Sequence, residues 1–161
     1  MTNIKRKIFY SFHFANDVFR VQQIRNMGAI EGNAPVAPNT WEEIKRSKGG
    51  VEKWINENIA GKSCVIVLIG SETASRPWVQ YEIRRAWEEG KGIFGINIHN
   101  LNCPRNGTCT KGANPFDQIT FTRRDGSVYV PKVYNPASDD AYGVISSKLS
   151  TWVETAISEA S

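Results

Sequence analysis

The chain has 161 residues, of which 40% are apolar and 22% charged, a balance that excludes a wholly disordered chain and fits one compact domain. Its longest apolar run, residues 64–69, is far shorter than the roughly 20 residues of a membrane-spanning helix. The net charge is +4, but the basic residues are spread along the chain, which disfavours nucleic acid as a partner. With no secretory signal and only three cysteines, we expect a soluble, cytoplasmic protein that binds no membrane.

The first half of the chain predicts strands and helices in alternation. Residues 7–12 are typical of a strand, and Asn16 or Asp17 can cap a helix that reaches Met27. Residues 28–40, rich in Gly, Pro and Asn, predict a loop whose length favours a functional role. Three further elements follow: a short helix from a capping box at residues 40–43, a helix over residues 51–59, and a strand over residues 63–69 that is apolar throughout.

The second half continues the alternation. It predicts a helix after Pro77 over residues 78–89, a strand at 92–98, a mostly loop-like stretch with a short strand at 119–122, a last strand at 128–130, and a final helix to about residue 157. Ser138 or Asp139 caps this final helix. Its expected core side is Tyr142, Ile145, Leu149, Trp152, Val153 and Ala156. The alternation indicates a parallel sheet with helices on both faces, in which ligands bind beyond the carboxyl ends of the strands.

The residues after the first predicted strand can bind a nucleotide. The Ser11 hydroxyl and the amides of the following helix can hold a phosphate oxygen, and the ring of Phe12 can stack on a base. On these residues alone a structural role is favoured, with Phe12 at the core edge and Asn16 or Asp17 only capping the helix. The chain contains neither G-x-x-x-x-G-K-[ST] nor G-x-G-x-x-G, which disfavours Walker-type nucleotide triphosphatases and Rossmann dehydrogenases.

Trp78 and Glu82 follow the central strand and stand four residues apart on one predicted helix. Beside an indole ring, a carboxylate loses water and binds hydroxyl donors such as a ribose more strongly. The alternative is a core tryptophan with Glu82 exposed to solvent or paired with Arg85. Spacing alone favours this alternative, because glutamates on helices are usually solvated.

Metal sites and nucleophilic triads have little support. His13 and His99 are the only histidines, and no serine has the sequence of a nucleophile elbow. His99, Cys103 and Cys109 could supply three zinc ligands, but structural zinc normally takes four, at tighter spacing. Reduced loop cysteines are favoured, and a reversible bond between Cys103 and Cys109 stays open.

Two blocks of sequence resemble TIR domains. Residues 7–14, KIFYSFHF, resemble the first TIR strand and its loop, and residues 63–73 followed by WVQYEI at 78–83 resemble the third strand and the helix with the W-x-x-x-E pattern. With GANPF at residues 112–116, the chain is most similar to the TIR-like family of Thoeris anti-phage proteins, ThsB. The resemblance implies one domain over residues 1–161 with a flavodoxin-like, three-layer α/β fold and a central parallel sheet of about five strands.

The resemblance also implies an activity, namely cleavage of NAD with release of nicotinamide and formation of a cyclic or conjugated ADP-ribose signal for a separate effector protein. Glu82 matches the catalytic glutamate, NAD is the substrate, and no cofactor or metal is expected. The implied substrate-binding residues are Ser11, Phe12, Asn16, Asp17, Trp41, Ser71 and Trp78, with Arg20, Arg25 and Arg76 as candidates for the pyrophosphate. Residues 28–40 resemble the BB loop, and self-association to a homo-oligomer is expected. The alternative is a non-catalytic TIR interaction module.

Overall fold

Seven short or medium strands and four helices make up the part of the chain that the computed structural model describes, which is residues 6–12, 14–27, 31–32, 44, 46, 48–101, 111–117, 119–136 and 140–160. The strands are β1 (Lys7–Ser11), β2 (Glu31–Gly32), β3 (Cys64–Ile69), β4 (Gly92–Asn97), β5 (Phe121–Thr122), β6 (Val128–Tyr129) and β7 (Val133–Tyr134). The helices are α1 (Phe14–Arg25), α2 (Gly50–Ile59), α3 (Pro77–Glu88) and α4 (Ala141–Ala160), with a short 3-10 helix at Thr73–Ser75.

The central sheet has five strands in the order β2-β1-β3-β4-β7, and every pair in it is parallel. This is the flavodoxin-like strand order, which confirms the predicted fold class. From β1 the chain first moves outward to β2 and then returns to the other side of β1 as β3. The strand order therefore reverses between the carboxyl ends of β1 and β3, where α/β proteins bind their ligands.

Two hydrophobic cores cover the two faces of the sheet. Along β3, Cys64, Ile66 and Leu68 pack against α1 and α4, while the alternating Val65, Val67 and Ile69 pack against α2 and α3. All six residues of β3 are fully buried, because helices shield both of its faces. This double burial is the physical reason why the strand is apolar without alternation. Among the described helices, none has the length and apolarity that crossing a membrane requires.

Three details predicted for the helices differ in the structure. α1 already begins at Phe14, so Asn16 and Asp17 lie inside its first turn and do not cap it. α4 begins after Asp140, whose side-chain oxygen accepts a hydrogen bond from the Gly143 amide at 3.2 Å, as an N-cap residue does. Tyr142, which was expected in the core, is 48% exposed because it lies on the outer side of α4. The other five predicted core residues of this helix are buried.

The fifth strand of the sheet is β7, which the sequence did not predict. The predicted last strand, residues 128–130, contains β6, which pairs antiparallel with β5 outside the main sheet. Trp87 of α3 secures this hairpin: its ring stacks on Tyr129 at 5.2 Å between centroids, and its Nε1 donates to the Thr122 carbonyl at 3.2 Å. The predicted short helix from residue 40 lies largely outside the described residues, although residues 44 and 46 are helical.

Candidate active site

The candidate site lies where the strand order reverses, at the carboxyl ends of β1 and β3. These strands pair in register from Ile8 and Cys64 to Ser11 and Val67, so Ser11 lies beside β3 two residues before that strand ends. Helix α3 packs over β1, β3 and β4 and carries Glu82. A residue on the inner face of α3 is therefore placed directly above the end of β1.

Glu82 belongs to that inner face. The buried residues of α3 are Val79, Glu82, Ile83 and Ala86, a spacing that marks one stripe of a helix. Glu82 is only 8% exposed, and burial raises the pKa of its carboxyl well above the ordinary value. The alternative prediction, a solvated Glu82 or one paired with Arg85, is wrong. Arg85 instead pairs with Glu89 at 2.7 Å and with Glu88 at 3.5 Å.

Ser11 is the described neighbour that acts on this carboxyl. It is fully buried at the end of β1, and strand alternation directs it to the same face as Phe9, which contacts Trp54 of α2. Its hydroxyl lowers the pKa of Glu82 and so opposes part of the effect of burial. Ser11 Oγ nevertheless has no well-formed hydrogen bond among the described residues. The structure thus brings Ser11 and Glu82 together.

The two described aromatic candidates lie on different sides of the sheet. Trp78, in the first turn of α3, is 39% exposed, and its ring meets that of Tyr81 edge to face at 5.7 Å. Tyr81 in turn donates from its hydroxyl to Asn56 of α2 at 3.0 Å. Trp78 is therefore an exposed ring near Glu82 in sequence, not the core residue of the alternative. Phe12 packs against the core formed with α1 and α4, on the opposite face from Glu82.

The structure describes the other predicted substrate-binding residues only in part. Ser71 is partly buried in the turn after β3. The backbone of Asn16 and Asp17 is in α1, but their side chains lie outside the described part of the structure, as do Trp41 and nearly all of the loop at 28–40. Substrate binding by these residues stays a prediction.

The three arginines proposed for the pyrophosphate differ in accessibility. Arg20 is fully buried, and its Nε donates to the Leu101 carbonyl at 3.0 Å, so it joins α1 to the turn after β4 in the interior. Arg25 donates from a guanidinium nitrogen to the side-chain oxygen of Gln22, three residues earlier in α1, at 3.0 Å. Arg76 is the more exposed and pairs with Glu72 at 3.6 Å.

Thr73 holds the turn that follows β3, a role that the sequence analysis missed. It is fully buried; its Oγ1 accepts from the Gly70 amide at 2.8 Å and is 3.5 Å from the Leu68 carbonyl. The turn then leads through the 3-10 helix to Pro77, the start of α3. A threonine three residues after a glycine, at the end of an apolar strand, was the available signal.

Residues 111–117, which we call the GANPF loop, pack against the turn after β3. Gly112 lies so close to the Gly70 carbonyl oxygen that a β-carbon at this position would overlap with it. Gln80 of α3 donates from Nε2 to the Pro115 carbonyl at 2.9 Å and to Ala74 at 3.3 Å. This loop and the helix that carries Glu82 are thereby joined, which explains a motif for which the sequence analysis had no role.

Replacing Gly112 by alanine should displace the GANPF loop. Because the obstacle is backbone, the strain cannot be relieved by rotating a side chain, and we expect a loss of about 1–3 kcal/mol in the free energy of unfolding, measured by denaturant titration. The adjacent Ala113 is exposed, so Ala113→Ser is the matched control, with a change within about 0.5 kcal/mol. Equal stability of the two variants would contradict the close contact.

Within the described residues, no group of three or more His, Cys, Asp or Glu could hold a metal ion. Cys64 is a buried free thiol in β3, and burial raises its pKa, which makes it unreactive. Cys103 and Cys109 lie outside the described residues, so the question of a bond between them stays open.

A five-stranded flavodoxin-like sheet, with a buried glutamate at its switch point and the W-x-x-x-E pattern on the covering helix, defines the chain as a TIR-type α/β domain. Residues 9–103 match the family described as "Thoeris protein ThsB, TIR-like domain". The chain therefore belongs to the ThsB TIR-like family. It is also 34% identical over 122 residues to "Putative cyclic ADP-D-ribose synthase ThsB1" of Bacillus cereus (strain MSX-D12), a match that covers 72% of this chain and 64% of that protein.

Proposed function

We propose that this protein cleaves NAD, releases nicotinamide and converts the ADP-ribose part into a cyclic or conjugated second messenger in Thoeris anti-phage defence. The observation that carries the proposal is the carboxyl of Glu82, buried beside Ser11 at the switch point of the sheet. The name of the Bacillus cereus relative, a cyclic ADP-D-ribose synthase, supports the nature of the product.

The chemistry needs few groups. When the bond between the ribose and nicotinamide breaks, the bonding electrons leave with nicotinamide, which was cationic and becomes neutral, so no acid has to protonate it. The ribose becomes oxocarbenium-like, as in glycoside hydrolysis, and a carboxylate stabilises the developing positive charge. Glu82 would also accept the proton of the hydroxyl that attacks the ribose carbon and forms the new bond.

The raised pKa of Glu82 fits a role that begins when the substrate binds. In the free protein, burial favours the protonated carboxyl. The positively charged nicotinamide ring of NAD, placed next to it, would favour the carboxylate and lower the pKa again. The substrate would in this way generate the ionised form that its cleavage requires.

The other predicted residues and partners complete the proposal. The rings of Trp78 and Trp41 would stack on the bases, and Phe12 would bound the pocket from the other face of the sheet. Together they would exclude water, which favours transfer to a substrate hydroxyl over hydrolysis. Ser71 would line the pocket beyond β3, and Asn16 and Asp17 the pocket beyond β1. NAD is the substrate and no further cofactor is needed. The product would act on a separate effector protein, and activity would require a homo-oligomer.

Nicotinamide release is the direct test. The purified protein is incubated with NAD over a range of protein concentrations, with and without lysate of phage-infected cells, and products are separated by chromatography and weighed by mass spectrometry. We expect nicotinamide together with a product of the mass of cyclic ADP-ribose or of a conjugate. NAD that stays intact under all of these conditions would overturn the proposal.

The second candidate is a non-catalytic interaction module. It is favoured by Val128 and Val130, which are 65% and 73% exposed on one side of the β5–β6 hairpin, where they could contact a partner. The double variant Val128→Lys, Val130→Lys separates the two functions. An enzyme that does not use this surface keeps its NAD cleavage and its defence activity, whereas an interaction module loses defence.

A further inference from the structure

A histidine and a lysine are positioned at the carboxyl end of β3 by the end of β4 and by the GANPF loop. The Ile98 amide donates to the Ile69 carbonyl at 2.9 Å, and His99 follows it directly. Lys111 directly precedes Gly112, whose backbone contacts the Gly70 carbonyl. His99 and Lys111 are thus each one residue away from a backbone contact with the Ile69–Gly70 end of β3. Two independent backbone contacts bring them to the same place.

The charges that act on His99 among the described residues are positive. Burial, and then the charges of Lys111 and Arg20, lower the pKa of His99, and no carboxylate contributes to that shift. The stretch from residue 98 to residue 116 contains no Asp or Glu. Positive charges held close together repel one another and oppose protonation of the histidine, and an anionic ligand removes that repulsion.

His99 also has a free hydrogen-bonding atom. Its Nδ1 is buried and has no hydrogen-bond partner among the described residues. Buried polar atoms in proteins are nearly always paired, so the described residues leave His99 with a hydrogen-bonding group that they do not satisfy. Lys111 is exposed and can reach such a ligand.

We propose that His99 and Lys111 form a phosphate subsite that binds the pyrophosphate of a dinucleotide whose nicotinamide ribose lies at Glu82. The inference rests on the proposed function. The spacing suits it: Glu82 lies over β1 and the subsite borders β3 and β4, one to two strand spacings away, or about 5–10 Å. Arg20 adds positive charge from the interior. Its hydrogen bond to the Leu101 carbonyl holds the turn that carries His99.

Calorimetry with ADP-ribose tests the subsite without requiring cleavage. We expect Lys111→Gln and His99→Gln each to weaken ADP-ribose binding about tenfold, with the larger loss at low salt, because each removes one contact to the pyrophosphate. Lys148→Gln, an exposed lysine on α4, is the matched control and should bind like the wild type. Adenosine, which has no phosphate, should bind equally well to all four proteins.

The pH dependence of ADP-ribose binding tests the role of His99 separately from that of Lys111. His99 is largely neutral at pH 7 because its pKa is lowered, and a bound pyrophosphate favours the protonated ring. ADP-ribose binding should therefore take up protons and tighten as the pH falls below 7, and His99→Gln should lose this proton uptake. The pyrophosphate of ADP-ribose is a diester and does not itself titrate in this range.

The outcomes separate the two proposals. Wild-type affinity of Lys111→Gln and His99→Gln for ADP-ribose overturns the subsite, even if NAD is cleaved. If ADP-ribose binding depends on both residues but the wild-type protein never releases nicotinamide, the proposed function fails and the subsite stands. With an active enzyme, the two variants should raise the KM for NAD and leave kcat nearly unchanged.

Discussion

Glu82→Gln should abolish nicotinamide release, with a loss of at least about 10³-fold in kcat, because glutamine keeps the shape of the side chain but cannot carry the negative charge that stabilises the ribose cation. Nicotinamide is measured by chromatography at saturating NAD. Glu88→Gln is the matched control. Glu88 lies six residues further along α3 with an exposed side chain, so this variant should retain full activity. Substantial turnover by Glu82→Gln would refute the assignment of the catalytic carboxylate.

The same substitution should stabilise the fold. The pKa of Glu82 is raised in the folded protein, so its contribution to stability is fully present below the unfolded pKa and is lost as the pH rises through the folded pKa. Above the unfolded pKa, the native protein must either keep the Glu82 carboxyl protonated or hold a buried charge, and either costs stability that glutamine does not lose. We expect a higher melting temperature for Glu82→Gln at pH 8, with about 2–4 °C for each kcal/mol, and a smaller difference at pH 4. A lower melting temperature at pH 8 would contradict this explanation.

The rate of NAD cleavage should depend strongly on pH. If the carboxylate is the active form, kcat/KM falls tenfold for each pH unit below the pKa of Glu82 in the free enzyme, which burial places well above 4.5. The profile of kcat should show a lower apparent pKa than that of kcat/KM, because cationic NAD favours the carboxylate in the complex. Initial rates from pH 4.5 to pH 9 measure both.

Two controls make this profile specific to Glu82. Circular dichroism at each pH shows whether the protein stays folded, and Ser11→Ala should move the apparent pKa of kcat/KM upward, because the serine hydroxyl lowers the pKa of Glu82. Rates that do not change between pH 5 and pH 8 would exclude a raised carboxyl pKa as the limit on activity.

The sequence alone was sufficient to predict the strands and the helix in the middle of the domain. β3 and β4 were predicted because burial on both faces requires a continuous apolar run, and α3 because Pro77 is typical of the first turn of a helix. β7 was not predicted. It has only two residues and is held by its pairing with β4, so it has no pattern of its own.

The burial of Glu82 was not predicted from the spacing of Trp78 and Glu82 alone. The general tendency of helical glutamates to face water suggested a solvated side chain, and only the resemblance to TIR domains reversed that weighting. The stripe of Val79, Ile83 and Ala86 around Glu82 was a local signal for burial. The contact between Gly112 and Gly70 joins residues far apart in the sequence, and no local pattern could have predicted it.

The connection of α3 to the GANPF loop restricts how a large molecule can enter the crevice. Gln80 and the packing of Gly112 hold α3 and the GANPF loop together as one unit. A gap between these two segments therefore cannot serve as the entrance. A dinucleotide that spans Glu82 and Lys111 would therefore lie across the outside of this joined unit and not between Gln80 and Pro115. Synthetic inhibitors that join Glu82 to Lys111 should accordingly carry no bulk between Gln80 and Pro115.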